Sequence, residues 1–211
     1  PINHNFQKGK IGFISKFLEF DNDYIQNKDI SLLKKKYPET QVDVCLFKLD
    51  LVKNLNFYCR NNNLELRILG SSKEENYLEE NYFHKILGKG NWVFLPRKGD
   101  FDSYKRIDDC EIVINAMSTL GTEAISRNKK VAFFYTDKIE GSNFGWPIIK
   151  QKKDFFFSNS NTHDEIKRIV ENLRSISTEE WLKLISKYSK LFFFYDNDNS
   201  QLKKILKDLD I

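Results

Sequence analysis

The chain has 211 residues, of which 40% are hydrophobic and 30% are charged, and its formal net charge is +4. This length allows one α/β domain with a substantial core and is too short for two domains of typical size. Because the charge is spread along the chain, nucleic acid is not an expected partner; a mildly basic face suits anionic nucleotides or the surface of an inner membrane.

Strands and helices are predicted to alternate along the chain. Short runs rich in β-formers, each bounded by polar or turn residues, predict strands at 10–15, 64–69, 92–95, 111–115 and 130–135. Apolar residues at helical spacing predict helices at 41–61, 74–87, 104–108, 162–173, 178–194 and 200–209. Residues 16–27 are predicted to form a loop, and Pro96 is predicted to end the third strand.

This alternation predicts an α/β fold with a Rossmann-like parallel sheet, helices on both faces and a C-terminal helical tail. Residues 1–147 are expected to form the core, and residues 148–211 are expected to form a helical tail packed on the same domain. Sheets of this kind bind ligands beyond the carboxyl ends of their strands. The loops that follow the strands are therefore candidate walls of a site: 15–17, 70–73, 96–98, 116–123 and 136–146.

The most informative segment is 109–124, in which a buried strand gives way to small polar residues that open a helix. Ser118 or Thr119 can cap this helix, and its first-turn N–H groups carry partial positive charge. Gly121 leaves room for a ligand near the backbone, so a phosphate or diphosphate is the expected guest. Glu123 can then accept hydrogen bonds from a ribose or sugar hydroxyl. The alternative is an ordinary capped helix.

Other segments have both a ligand-binding and a structural interpretation. The glycines and aromatic residues of 141–147 are typical of a ligand-contacting loop or of a structural connector. Arg97 and Lys98 end the third strand, where they can meet a base or phosphate or form a solvated turn. Three acidic residues follow the first strand: Glu19, Asp21 and Asp23. Either one of them is a general base, or all three are solvated loop residues. Weaker candidates are a salt bridge at Arg67 and phosphate donors at Ser71 and Ser72.

Known catalytic and metal-binding motifs are absent from the sequence. It contains no GxSxG elbow, no GxxxxGK[ST] loop and no GxGxxG, which disfavours hydrolase and kinase functions. The cysteines and histidines lack metal-site spacing, so we expect no structural metal and reduced core cysteines at Cys45, Cys59 and Cys110. No signal peptide and no run of about 20 apolar residues is present. We therefore expect a cytoplasmic protein that is at most peripheral to the inner membrane.

Several segments together resemble conserved blocks of bacterial surface carbohydrate biosynthesis proteins. They are 11–17, 106–124, 129–134, 143–147, 180–181 and 196–200, and the block at 118–124 is the most specific. The resemblance implies the C-terminal, donor-binding half of a GT-B glycosyltransferase, the two-Rossmann-domain class that needs no metal for transfer. It also implies a nucleotide-sugar as donor substrate, a surface glycan as acceptor, and no cofactor.

The resemblance further implies a set of nucleotide-sugar-binding residues. Phosphate contacts are expected at Ser118, Thr119, Gly121 and Thr122, a hydroxyl contact at Glu123, and base contacts at Pro96 and Arg97. Ser15, Asn143 and Gly145 complete the predicted set. Residues 153–158 depart from the family pattern, so no contact is carried over to them.

The sequence leaves the catalytic residues and the exact function open. A GT-B enzyme needs an acceptor domain that usually supplies the base, and this chain has room for only one Rossmann half. One alternative is a sugar-nucleotide epimerase or hydrolase of similar fold. The other is a non-catalytic assembly module of polysaccharide biosynthesis, which uses its helical tail to join a biosynthetic complex.

Overall fold

The computed structural model describes residues 6–73, 77–99, 102–138, 150–192 and 200–208. Within these residues, six strands form one sheet: β1 (Gln7–Ile14), β2 (Glu65–Lys73), β3 (Trp92–Arg97), β4 (Cys110–Asn115), β5 (Val131–Phe134) and β6 (Phe157–Ser158). The helices are α1 (Glu19–Asn27), α2 (Ile30–Lys36), α3 (Glu39–Asn61), α4 (Tyr77–Leu87), α5 (Asp102–Asp108), α6 (Thr119–Ser126), α7 (His163–Ser175), α8 (Thr178–Phe192) and α9 (Ser200–Asp208).

The order of the strands across the sheet is β3-β2-β1-β4-β5-β6, and all neighbouring strands are parallel. The chain runs outward from β1 to β3, returns to place β4 beside β1, and then runs outward in the other direction. This is the Rossmann order, and its reversal lies between β1 and β4. The predicted fold class is confirmed.

Helices cover both faces of the sheet. Right-handed crossovers place the helices after β1 and β2 on one face and the helix after β4 on the other. On the first face α3 contacts α4 and α7, and on the second face α6 contacts α8. Ile68, Ile112 and Ile114 are completely buried in the strands between these layers. Burial from both sides explains why the strands are continuous apolar runs rather than alternating ones.

The segment 148–211, predicted as a helical tail, contributes a strand as well as helices. β6 pairs with β5, with Phe133 opposite Phe157, and a two-residue strand is too short to show any periodicity in sequence. Helix α7 contacts β4 and β5. In α8, the fully buried Trp181 packs edge-to-face on Phe156 at 5.4 Å and donates its Nε1–H to the Asn128 carbonyl at 3.2 Å.

Two helices, α1 and α2, lie between β1 and α3, and α1 occupies most of the predicted loop at 16–27. In α1 the apolar residues are only Phe20, Tyr24 and Ile25, so the helical pattern in the sequence is short and weak. Phe20 and Leu33 form a small second core with residues of α3. The other difference is Pro96, which lies inside β3 instead of ending it. Among the described strands β3 pairs only with β2, and an edge strand tolerates the missing N–H of proline.

Candidate functional site

The candidate site lies at the carboxyl ends of β1 and β4, where the strand order reverses. The two strands are neighbours, with Phe13 opposite Ile114. Ser15 follows β1 and the turn at 116–118 follows β4, so the fold brings these two predicted segments together. Loops leave such a point in opposite directions and open a crevice at the edge of the sheet.

The turn between β4 and α6 is fixed by two side chains. Asn115, which is buried, accepts a hydrogen bond from the Ser118 N–H through Oδ1 at 3.1 Å. Ser118 has extended backbone dihedrals, and its Oγ accepts a hydrogen bond from the Leu120 N–H at 3.2 Å. Of the two residues predicted as the cap, Ser118 is therefore the N-cap of α6.

Several amides at the start of α6 are already used within the protein. Besides the Ser118 and Leu120 amides, the Gly121 N–H donates to the Ser118 carbonyl at 3.2 Å. The groups left to meet an anion include the Thr119 N–H, at the positive end of the helix dipole, and the side chains of Thr119, which is exposed, and Thr122, which is half-buried. A phosphate here would depend on these groups more than on a nest of free amides.

Gly121 has a packing role that the sequence did not reveal. A Cβ at this position would lie 2.3 Å from Cγ of Asn115 and 2.6 Å from its Cβ and Nδ2. The space beside Gly121 is thus filled by the Asn115 side chain, and the glycine allows α6 to approach β4 closely. The sequence predicted a glycine here because it leaves room for a ligand, whereas the structure explains it by helix–strand packing. Contact of Gly121 with phosphate stays a prediction.

Glu123 has a protein partner. The Tyr104 hydroxyl donates to Glu123 Oε2 at 2.7 Å, and the carboxylate raises the pKa of Tyr104 above its ordinary value. The guanidinium of Arg127 lies 5.0 Å from the centre of the Tyr104 ring. Glu123 is thereby oriented toward α5. Contact of Glu123 with a sugar hydroxyl stays a prediction. It would require the sugar and Tyr104 to share the Glu123 carboxylate.

The loop after β1 is held by hydrogen bonds to several elements. Within residues 15–18, the Ser15 N–H donates to the Leu69 carbonyl at 3.0 Å and the Phe17 N–H donates to Ser71 Oγ at 3.2 Å. On its other side, Lys48 of α3 donates to the Lys16 carbonyl at 2.8 Å. The loop is therefore tied to β2 and to α3 at once.

The three acids that follow β1 all form ion pairs. Asp21 is 1% exposed, and its Oδ2 lies 2.5 Å from the Lys48 ammonium. The Lys36 ammonium contacts Glu19 at 3.0 Å and Asp23 at 2.6 Å, and holds the pKa of Asp23 below its usual range. The interpretation of these residues as solvated acids is wrong for Asp21, which is enclosed and engaged and has no access to a substrate as a general base.

The end of β2 is held by a buried carboxylate. Glu79 of α4 is fully buried and accepts hydrogen bonds from the Ser71 and Ser72 amides at 3.1 and 2.7 Å. It also accepts a hydrogen bond from the Ser71 hydroxyl at 3.2 Å. The predicted phosphate donors Ser71 and Ser72 thus already serve Glu79 through these groups.

A buried arginine joins the ends of β2 and β3. Arg106 of α5 is 7% exposed and donates through Nη1 to the carbonyls of Gly70 and Leu95. Its Nε lies 2.9 Å from Asp102, which balances the charge. Arg106 therefore couples α5 to both strands.

Sequence reasoning missed this set of buried polar residues. Lys48 lies between Cys45 and Leu49 on the buried stripe of α3, and a lysine within an apolar stripe was the available signal. Glu79 and Arg106 lie in short, highly charged helices, where nothing in the pattern separates a buried charge from a solvated one.

A family comparison adds to this geometry. Residues 2–210 match the model of a protein family described as "putative O-antigen biosynthesis protein". The chain belongs to this family. The match supports the surface-carbohydrate part of the resemblance stated above, and the GT-B relationship goes beyond that description. No curated protein and no solved structure matches the chain.

In this O-antigen biosynthesis family member, the predicted base-binding residues are well separated from α6. Pro96 lines a cavity of about 460 Å³ between α5 and strands β2 and β3, together with Arg67, Leu95 and Lys105. Arg67 forms the predicted salt bridge, with Glu65 at 2.8 Å. Arg97 ends β3, three strands from β4, which corresponds to about 14 Å at the usual strand spacing. Only an extended ligand can contact both Arg97 and α6.

The remaining predictions for this family member concern the loop 141–147, the cysteines and metals. Asn143 and Gly145 lie outside the described residues. Burial raises the pKa of Cys45, Cys59 and Cys110 to about 11, 12 and 11, so none is a ready nucleophile. Across the described ranges, no three His, Cys, Asp or Glu side chains are grouped as metal ligands. In the same ranges, no helix combines the length and the apolar character needed to cross a bilayer.

Proposed function

We propose that this chain binds a nucleotide-sugar at the crevice between β1 and β4 and is the donor-binding part of a glycosyltransferase in O-antigen assembly. The observation that carries the proposal is the position of α6. Its N-terminus, capped by Ser118 and anchored through Asn115, opens at the point where the strand order reverses. In Rossmann sheets this is where the phosphates of nucleotides bind.

The chemistry of sugar transfer fits this placement. The bond between the anomeric carbon of the sugar and the phosphate oxygen breaks as the acceptor hydroxyl attacks and loses its proton to a base, and the leaving nucleoside mono- or diphosphate gains negative charge. The N-terminus of α6 would stabilise that charge without a metal ion, assisted by the hydroxyls of Thr119 and Thr122. Membership of the O-antigen biosynthesis family supports the proposal, because O-antigen is built from sugar units.

The acceptor side of the reaction is not assigned to any described residue. Asp21 does not serve as the base in this proposal, because it is 1% exposed and paired with Lys48. We propose that the glycan acceptor and the base enter from outside the described crevice. The cytoplasm, with access to the inner membrane surface, is the proposed place of action.

Calorimetry and thermal-shift measurements with CMP, UDP, GDP and their sugar conjugates test the proposal. We expect one base to bind selectively, because specific contacts discriminate among bases. At 100 times its dissociation constant, a ligand that binds only the native state adds about 2.7 kcal/mol to the free energy of unfolding. Failure of every nucleotide to bind would contradict the proposal and favour the non-catalytic module. Turnover of the donor without an acceptor would favour an epimerase or hydrolase.

A charge substitution locates the binding site. Ser118→Asp keeps a good N-cap but places a negative charge where the phosphate is expected, so binding should be lost while folding is kept. Thr162→Asp is the matched control. Thr162 is the N-cap of α7, its side chain makes no capping hydrogen bond that the change would remove, and α7 packs against α3 on the other face of the sheet. Equal nucleotide affinity in both variants would show that α6 does not hold the phosphate.

A further inference from the structure

The buried ion pair between Lys48 and Asp21 lies directly behind the loop after β1. The side chains are 7% and 1% exposed, and Nζ and Oδ2 are 2.5 Å apart. The same ammonium donates to the Lys16 carbonyl at 2.8 Å, and the same carboxylate oxygen accepts from the Leu18 N–H at 2.8 Å. Both charges thus bind the backbone of residues 16–18 as well as each other.

Stability alone does not account for such a pair. Removing two charges from water is costly, and apolar residues of similar volume often replace a buried pair with no loss of stability. The surroundings of this pair are apolar and aromatic. Burial, together with the Asp21 carboxylate, raises the pKa of the neighbouring Tyr82 far above its ordinary value. What an apolar replacement cannot provide is the pair of hydrogen bonds to the loop backbone.

We propose that Lys48 and Asp21 are positioning residues that hold the loop at 15–18 in the shape that receives the nucleotide-sugar phosphate. This inference rests on the function proposed above. The loop forms the β1 side of the crevice, opposite the turn that ends in Ser118. Its other attachments are two uncharged hydrogen bonds, from the Ser15 N–H to the Leu69 carbonyl at 3.0 Å and from the Phe17 N–H to Ser71 Oγ at 3.2 Å. Lys48 and Asp21 therefore provide the hydrogen bonds from charged side chains that hold the loop backbone.

The double variant Lys48→Met with Asp21→Leu tests the role, because it removes both charges and leaves neither one unpaired. We expect only a modest fall in its midpoint of chemical unfolding, because removal of two buried charges offsets part of the loss of the hydrogen bonds to the Lys16 carbonyl and the Leu18 amide. We expect amide hydrogen exchange at Ser15 and Phe17 to lose protection. These two amides are informative because their acceptors, on Leu69 and Ser71, are unchanged. Nucleotide affinity should fall about 2- to 30-fold, the usual range for residues that act on a ligand without touching it.

The control is Arg174→Met with Glu111→Leu. This variant removes the 3.1 Å ion pair between α7 and β4 and the hydrogen bond from the Gly9 N–H to Glu111, which lie toward the opposite ends of β1 and β4. Loop exchange and nucleotide affinity should stay at wild-type values. If the first variant is too unstable to measure, Lys48→Gln with Asp21→Asn removes the charges while keeping a donor and an acceptor, and a smaller loss of protection at the same two amides is expected.

Hydrogen exchange and nucleotide affinity are measured separately, so together they distinguish failure of this inference from failure of the proposed function. Unchanged protection at Ser15 and Phe17 would overturn the positioning role whether or not nucleotides bind. Lost protection with unchanged affinity would also overturn it, since the loop would then be irrelevant to binding. If the wild type binds no nucleotide, the proposed function fails, and hydrogen exchange still decides whether the pair holds the loop.

Discussion

Replacing Gly121 with alanine should destabilise the protein through a single contact. The new Cβ would meet three atoms of Asn115 at 2.3 to 2.6 Å, and one of them is the Cβ, which β4 holds in place. Rotation of the Asn115 side chain cannot relieve that contact, so α6 must shift or β4 must distort. Overpacking of this kind costs about 1–3 kcal/mol. The hydrogen bond from Ser118 to Asn115, worth about 0.5–1.5 kcal/mol, is lost as well.

The opposing effect is the better helix propensity of alanine, which returns about 1 kcal/mol. We therefore expect a net loss of about 2 kcal/mol in the free energy of unfolding, which lowers Tm by about 4–8 °C for a chain of this size. Urea unfolding followed by circular dichroism measures the loss. Gly99→Ala is the control, because a Cβ there meets nothing within 4 Å. An unfolding midpoint for Gly121→Ala equal to that of the wild type would refute the packing role of Asn115.

Coupling between the two positions gives a second test of the same contact. Asn115→Gly removes all three atoms that the new Cβ would meet. The double variant Asn115→Gly with Gly121→Ala should therefore lose less stability than the sum of the two single variants, since contacting residues are not additive. Simple additivity would mean that the clash is absorbed elsewhere.

Three further predictions concern capping, strand ties and buried thiols. Ser118→Ala should cost about 1 kcal/mol in urea unfolding because the cap to Leu120 is lost, whereas Ser126→Ala, at the other end of α6, should be nearly neutral. Arg106→Met should cost about 3 kcal/mol, since two strand carbonyls lose a donor; a loss below about 1 kcal/mol would show that water replaces it. Above about pH 9 the free energy of unfolding should fall as pH rises, because unfolded thiols release protons that the native thiols keep. Urea titrations at rising pH measure this effect. It should shrink in Cys59→Ala, because this variant lacks the Cys59 thiol, whose pKa in the native wild type is raised to about 12.

The fold could be predicted because its determinants are local. The apolar runs of β1, β2 and β4, separated by helical periodicity in α3 and α4, dictate parallel strands joined by crossovers. The cap of α6 could also be predicted, as Ser118 or Thr119, since a small polar residue before a helical pattern is typical of an N-cap, and the structure assigns it to Ser118. These patterns can be recognised without knowing which helices and strands contact one another in the folded protein.

The parts that escaped prediction depend on contacts between distant elements. Helix α1 forms although its sequence is polar, because Phe20 reaches a small core made with α2 and α3. The packing of Gly121 depends on the neighbouring side chain of β4, and the burial of Glu79 depends on the amides of the β2 end. In each of these cases the residue is visible in the sequence, but the group that it contacts depends on the tertiary structure.

The distribution of buried charge bears on what this edge of the sheet is for. Among the described residues five charged side chains are buried, and four of them hold backbone at or near the carboxyl ends of β1, β2 and β3: Asp21, Lys48, Glu79 and Arg106. Each burial costs free energy that an apolar residue would not. What the charges provide is order in the loops before a ligand arrives, which lowers the entropy lost on binding. A sheet that needed only stability would have no reason to concentrate charged restraints on this edge. Their presence on the side where a Rossmann sheet binds its ligand therefore argues for a preorganised binding site, independently of the motif at Ser118.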